Sequence, residues 1–189
     1  MREEIYEIIE EVTKSELSRQ TVTQDRILLH RNRMNTSCAH LRSTNVNGVV
    51  RVLREERVNV NGESKSGYTG FILGCGCGNV NVVQVLVKDK RVDVNKRYSN
   101  GSTGFMFACQ HGHDEIVSLL MEDERIDVNG QNNDGLTGLM WACESGRVST
   151  VRLLLKNPAI DRSLKTKEGE SAVDIARRLK QEEIVSLLS

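Results

Sequence analysis

The stretch Gly101-Ser-Thr-Gly-Phe-Met-Phe-Ala-Cys-Gln-His-Gly-His-Asp-Glu-Ile-Val-Ser-Leu-Leu120 decides the fold. Thr103 is a good N-cap in front of the apolar run Phe105 to Cys109, because its hydroxyl can accept from an N–H of the first turn. Gly112 suits the left-handed residue that ends a short helix. From His113 onward Ile116, Val117, Leu119 and Leu120 form a stripe at helical spacing, with Asp114, Glu115 and Ser118 off it. The acidic pair also complements the positive end of the helix dipole. Downstream, Asp127 to Gly135 is turn chemistry without an apolar run, which predicts an exposed loop or hairpin. One unit is therefore helix, turn, helix, loop.

The unit recurs. Val92-Asp-Val-Asn95, Ile126-Asp-Val-Asn129 and the altered Ile160-Asp-Arg-Ser163 lie 34 residues apart. Gly67, Gly101, Gly135 and Gly169 keep that interval, and Gly78, Gly112 and Gly146 follow the first three by eleven residues. Three markers on one period define an array. A helix pair this short cannot hide its apolar face alone and must stack on neighbours. A stack of small aliphatic residues also answers an aromatic content of only 4%, since large rings normally supply much of a core.

On these residues the chain resembles the ankyrin repeat family, whose pattern is Gly-x-Thr-Pro-Leu-His-x-Ala, a central Gly-His and a closing Asp-Val-Asn. The match runs through Gly101-Ser-Thr103, Ala108, Gly112-His113, Ile116-Val117, Leu119-Leu120 and Asp127-Val-Asn129. It recurs from Gly67 to Asn95 and from Gly135 to Asp161, and Gly169 to Leu188 looks like a last repeat. The resemblance implies an all-α solenoid of stacked helix-turn-helix repeats with projecting loops or β-hairpins, preceded by an N-terminal helical segment. Its expected parts are a helical cap or partner-binding segment at 1–34, a degenerate repeat at 35–61, repeats at 62–95, 96–129 and 130–163, and a capping repeat at 164–189.

Departures from the pattern carry expectations of their own. The proline after threonine is glycine at Gly70, Gly104 and Gly138, and the histidine is Ile72, Met106, Met140 and Asp174. Gly104 and Gly138 fall at the first helical position, where proline's fixed φ helps and its missing N–H is not needed, so Gly104→Pro and Gly138→Pro are expected to stabilise the fold. Gly74-Cys-Gly-Cys-Gly78 puts glycines inside a helix, which predicts the softest helix of the clear array.

Lys and Arg number 26, as do Asp and Glu, so the net charge is zero and a chain devoted to gripping phosphate backbone is excluded. Met1-Arg-Glu-Glu lacks an apolar leader and no run approaches about 18 apolar residues, which predicts a cytoplasmic or nuclear protein. Five cysteines then read as reduced thiols. Ile5, Ile8, Ile9 and Val12 form a stripe on an acidic helix, readable as a cap on the array or as a helix for a partner or for self-association.

Cys75, Cys77, Cys109, Cys143, His111 and His113 are residue types that zinc accepts. Cys75, Cys109 and Cys143, however, share one repeat position, and stacked helices keep such positions roughly 8–10 Å apart, so they read as small buried hydrophobes. Gly74-x-Gly76-x-Gly78 lacks the dinucleotide spacing. Asp127-x-Asn129-x-Gln131 lacks the glycine and glutamate of a calcium loop. No catalytic residue, metal or cofactor is expected. A metal- or thiol-dependent enzyme on the Cys and His residues, or a nucleic-acid binder on Arg26, Arg31, Arg33 and Arg42, are the alternatives.

The leading expectation is a non-enzymatic scaffold or regulatory subunit binding a partner protein on a concave face. By resemblance, the contact positions are Lys65, Ser66 and Tyr68 in one repeat. In the next they are Ser99, Asn100, Ser102, Gln110 and His111, and in the third Asn133, Asp134, Leu136, Glu144 and Ser145. Tyr68, Tyr98, Leu136 and Met106 or Met140 are candidate apolar anchors, and Trp141 reads as packing between repeats. The outward second-helix residues Asp114, Glu115, Ser118, Arg147, Ser149 and Arg152 are expected to stay out of binding. The resemblance further implies hydroxylation at Asn95 and Asn129.

Overall fold

The computed structural model describes residues 49, 50, 53, 58–64 and 67–189. The expectations for residues 1–34, for Lys65 and Ser66, and for most of 35–61 lie outside the described residues. The chain divides into two compact units, Met1–Asp93 and Val94–Ser189. The first holds α1 (Gly70–Cys77) and α2 (Val80–Lys88). The second holds three helix pairs: α3 (Gly104–His111) with α4 (Asp114–Met121), α5 (Gly138–Glu144) with α6 (Val148–Leu154), and α7 (Ala172–Arg178) with α8 (Glu182–Leu188). No strand forms among the described residues, and the all-α expectation agrees. The hairpins reduce to isolated antiparallel bridges, Glu63 with Thr69 and Lys165 with Ser171.

Each first helix begins where its hydroxyl predicts. Thr69, Thr103, Thr137 and Ser171 accept from the N–H groups of Ile72, Met106, Met140 and Asp174 at 3.2, 3.5, 3.3 and 3.4 Å. At Ser171 the cap closes on itself: the Asp174 carboxylate accepts from the Ser171 N–H at 3.0 Å and from its hydroxyl at 2.5 Å. That reciprocal cap gives the aspartate at the histidine position a local reason. The first helices are followed by left-handed residues, Gly78 at φ 75°, Gly112 at φ 76° and Gly146 at φ 65°, whereas the last pair places Lys180 there at φ 56°.

Within the second unit the first helices α3, α5 and α7 stack on one another, and so do α4, α6 and α8. Small residues set the contact: Ala108, Cys109, Ala142, Cys143 and Ala176 are fully buried. Larger ones, Phe105, Met106, Ile116, Leu120, Met140 and Leu154, fill the space between layers. Each such side chain contributes about 1.5–3 kcal/mol of burial. Arg177 occupies the place of Cys109 and Cys143 in α7 and is exposed.

The stack also explains Gly138. A Cβ there would lie 2.9 Å from Phe105 Cε1 and 3.1 Å from Cys109 Sγ, both atoms belonging to buried residues. Glycine at the start of α5 is therefore a packing requirement imposed by the preceding repeat. The expected stabilisation by Gly138→Pro is withdrawn, because proline carries the same Cβ.

Hydrogen bonds tie the loops into a ladder. Tyr98, Asn132 and Thr166 donate their N–H to Ser102, Leu136 and Glu170, closing tight loops. The Asn133 N–H then donates to the Asn100 carbonyl and the Lys167 N–H to the Asp134 carbonyl, both at 2.9 Å, so each loop rests on the one before. At Gly135, φ is 82° and a Cβ would meet the Lys167 nitrogen at 2.8 Å. The Asp-Val-Asn asparagines serve the same end. Asn95 donates to the Arg125 carbonyl at 2.5 Å and accepts from the Asp127 N–H at 3.0 Å, while Asn129 does so with Ala159 at 2.7 Å and Asp161 at 2.9 Å.

Candidate functional site

The last repeat shows which residues face one another between loop and first helix. Arg178 of α7 forks onto Glu170, with Nε donating to Oε1 at 2.8 Å and Nη2 to Oε2 at 3.1 Å. One period earlier the same two places hold Leu136 and Glu144, and one before that Ser102 and Gln110. Leu136 is half-buried and Glu144 exposed at these corresponding places.

The remaining expected contacts divide by what their atoms do. Ser99 is exposed, and its carbonyl accepts from Asn133 Nδ2 at 3.2 Å. Asn100 is half-buried and spends its side-chain oxygen on the Ser102 N–H at 3.0 Å. Asn133 and Asp134 stand exposed at a loop tip, and Ser145 is half-buried at the end of α5. Tyr68 is half-buried in the first unit. His111 is half-buried, with Nδ1 2.9 Å from the Phe107 carbonyl, and stacks on His113 at 5.9 Å. The carbonyl can only accept, so Nδ1 of His111 carries the proton.

Two expectations need correction. Ser102 is 1% exposed with an unpartnered hydroxyl, so it offers nothing to a partner. Met106 and Met140 are each 1% exposed, buried between layers rather than available as anchors. Arg147 is exposed as expected, and its Nε also donates to the Gln110 carbonyl at 3.0 Å.

Trp141, read from the sequence as packing between repeats, is half-buried, with its Nε1 shielded and unpartnered. Its counterpart Phe107 is 8% exposed and meets the edge of Tyr98 with ring centroids 6.0 Å apart. Asn132 stands in the place of Tyr98, so the indole has no aromatic cover there. The signal available in the sequence was a single tryptophan at a position otherwise held by leucine, phenylalanine and isoleucine.

Charge gathers at this end of the face. Glu170, first by its hydrogen bond and then by its charge, holds the Arg178 guanidinium above its ordinary range, and Glu144 and Glu168 add to the effect. The thiols are a different matter. Burial pushes Cys143 up to about 12 and Cys75 higher still, so neither is a thiolate nucleophile near neutral pH. Cys75, Cys109 and Cys143 form no disulfide and are buried, as expected of small hydrophobes. Cys77 is disulfide-bonded, which corrects the reduced-thiol expectation at that residue. Among the described residues no group of three or more His, Cys, Asp or Glu is placed to hold a metal ion, and no helix is long and apolar enough to cross a membrane.

Residues 105–189 match the family described as "Ankyrin repeats (3 copies)". No curated protein matches the chain.

Proposed function

Residues 105–189 being ankyrin repeats, generally protein–protein interaction modules and typically non-enzymatic, we propose that this protein is a scaffold or regulatory subunit holding a partner protein on the face made by its loop tips and first helices. The observation that supports this most is the Arg178–Glu170 fork, since Leu136 and Glu144 occupy the corresponding two places one repeat earlier. An apolar group beside an orienting polar group is the usual composition of an interface centre. Ser99, Asn133 and Asp134 extend that face at the loop tips. A cytoplasmic or nuclear setting belongs to the same proposal.

The test is a binding measurement against an affinity-captured partner. Leu136→Ala and Glu144→Ala are expected to weaken it by about 1 kcal/mol or more if they are interface centres. Ser149→Ala and Glu115→Ala, on the exposed side of second helices, should change it little. Loss of binding in the second pair with retention in the first refutes the assignment.

Hydroxylation of Asn95 and Asn129 forms a second part of the proposal. Both amides hold the next repeat through two hydrogen bonds each. A hydroxylase must therefore meet them in locally opened chain. Unmodified Asn95 and Asn129 after incubation with an asparaginyl hydroxylase, read by mass spectrometry, would end that part.

A further inference from the structure

We propose that Trp141, Leu136 and Glu144 together receive a Lys or Arg side chain from a basic segment of the partner, an inference that rests on the protein-binding reading above. Trp141 and Glu144 are three residues apart on α5, the spacing at which helix side chains are neighbours. Because the indole nitrogen is shielded, what Trp141 shows to solvent is the carbon framework of its ring. Leu136 adds a second apolar group to that face.

The last repeat displays the complementary half of the arrangement. There Glu170 is answered by the guanidinium of Arg178 across the loop-to-helix gap. In the repeat before, the two places hold leucine and glutamate, and among the described residues the Glu144 carboxylate has no hydrogen-bond or ion-pair partner. Among the described residues, the bonded pair of the last repeat has no counterpart in the repeat before it. Glu144 acts on Arg178 only through space, since that guanidinium is bonded to Glu170.

A long basic side chain fits both features at once. Its methylene stem can lie along Leu136 and the indole, which is how such side chains bury their carbons while keeping the charge hydrated. Its cationic end then meets Glu144, and the aromatic ring adds attraction for a cation held close to it. An acidic or purely apolar segment would leave Glu144 facing like charge or hydrocarbon.

The chain has one tryptophan, so its emission reports on this face alone. Random linear peptides displayed on phage, selected against the folded protein, supply the probes, and the recovered sequences are titrated as end-blocked synthetic peptides. Enriched peptides are expected to carry Lys or Arg, to change Trp141 emission, and to bind more weakly as salt is added. Affinity should fall roughly tenfold in Glu144→Gln and in Trp141→Leu, the latter followed by calorimetry. Leucine already fills the corresponding place at Leu73, and retained helical circular dichroism checks that the variant folds. Enriched peptides without basic residues, indifferent to Glu144→Gln but lost in Leu136→Ala, would overturn the basic-segment inference and leave the binding face standing. Peptides indifferent to all three substitutions, or no enrichment, would overturn both.

Discussion

Replacing Gly138 by alanine pits two effects of known sign against each other. Removing a glycine from a helix restricts the unfolded chain and ordinarily stabilises by about 0.4–1 kcal/mol. Here the added methyl would sit 2.9 Å from Phe105 Cε1, 3.2 Å from Phe105 Cδ1 and 3.1 Å from Cys109 Sγ. Phe105 is 1% exposed and Cys109 fully buried, so neither can swing into solvent to make room. Overpacking of that kind costs about 1–3 kcal/mol, and the net expectation is a loss of about 1–2 kcal/mol. For a chain of this length that corresponds to a fall in melting temperature of about 2–8 °C.

Proline at the same position should be no better, although Thr137 at φ −93°, ψ 172° already has the extended backbone that a following proline requires. The backbone permits the substitution and the neighbouring repeat forbids it. The next repeat indicates the remedy. Ala172 carries a Cβ at the corresponding place, 2% exposed, where the preceding repeat offers Leu139 instead of phenylalanine. Phe105→Leu should accordingly relieve the clash, and a double-mutant cycle read by denaturant unfolding should show coupling of about 1 kcal/mol or more between positions 105 and 138. A Gly138→Ala protein as stable as the parent, or an additive cycle, would refute the reasoning.

Further predictions concern the terminal repeat, the ladder and acid. Lys180→Gly should stabilise by up to about 1 kcal/mol, since Lys180 holds φ 56° where Gly78, Gly112 and Gly146 follow the earlier first helices; an unchanged unfolding midpoint would count against it. Asn129→Ala removes bonds to Ala159 and Asp161 and should cost about 1–2 kcal/mol, with faster amide exchange at Asp161 as its local sign. Asp89 and Asp123 are each held below the ordinary carboxylate range, first by the side-chain hydrogen bonds from Arg91 and Arg125. With folded values lower than unfolded ones, their contribution is present above about pH 4 and lost as pH falls through the folded values. Unfolding midpoints should thus decline below about pH 4, and Arg125→Ala should flatten that decline. A slope that Arg125→Ala leaves untouched would remove the pair as its source.

By itself the sequence determined the period, the helix starts and the small-residue stack. Those features are local: the Thr103 hydroxyl reaches an N–H three residues away, and a stripe such as Ile116, Val117 and Leu120 declares its face through spacing alone. Cys109 and Cys143 were legible as buried hydrophobes because they repeat with the period. Tertiary structure alone decided matters that depend on atoms a whole repeat away. Thr-Gly in place of Thr-Pro looked like a missing stabiliser until Phe105 and Cys109 occupied the space that a Cβ at Gly138 would need. Arg147 is the outward charge its register predicts, but its bond to the Gln110 carbonyl, 37 residues earlier, is set by the stacking of repeats. Ser102 occupies a contact position by register and is buried, whereas Trp141 occupies a packing position and is half-buried. Helix periodicity places a side chain on a face, but what covers that face is set by the size and charge of neighbours in other repeats.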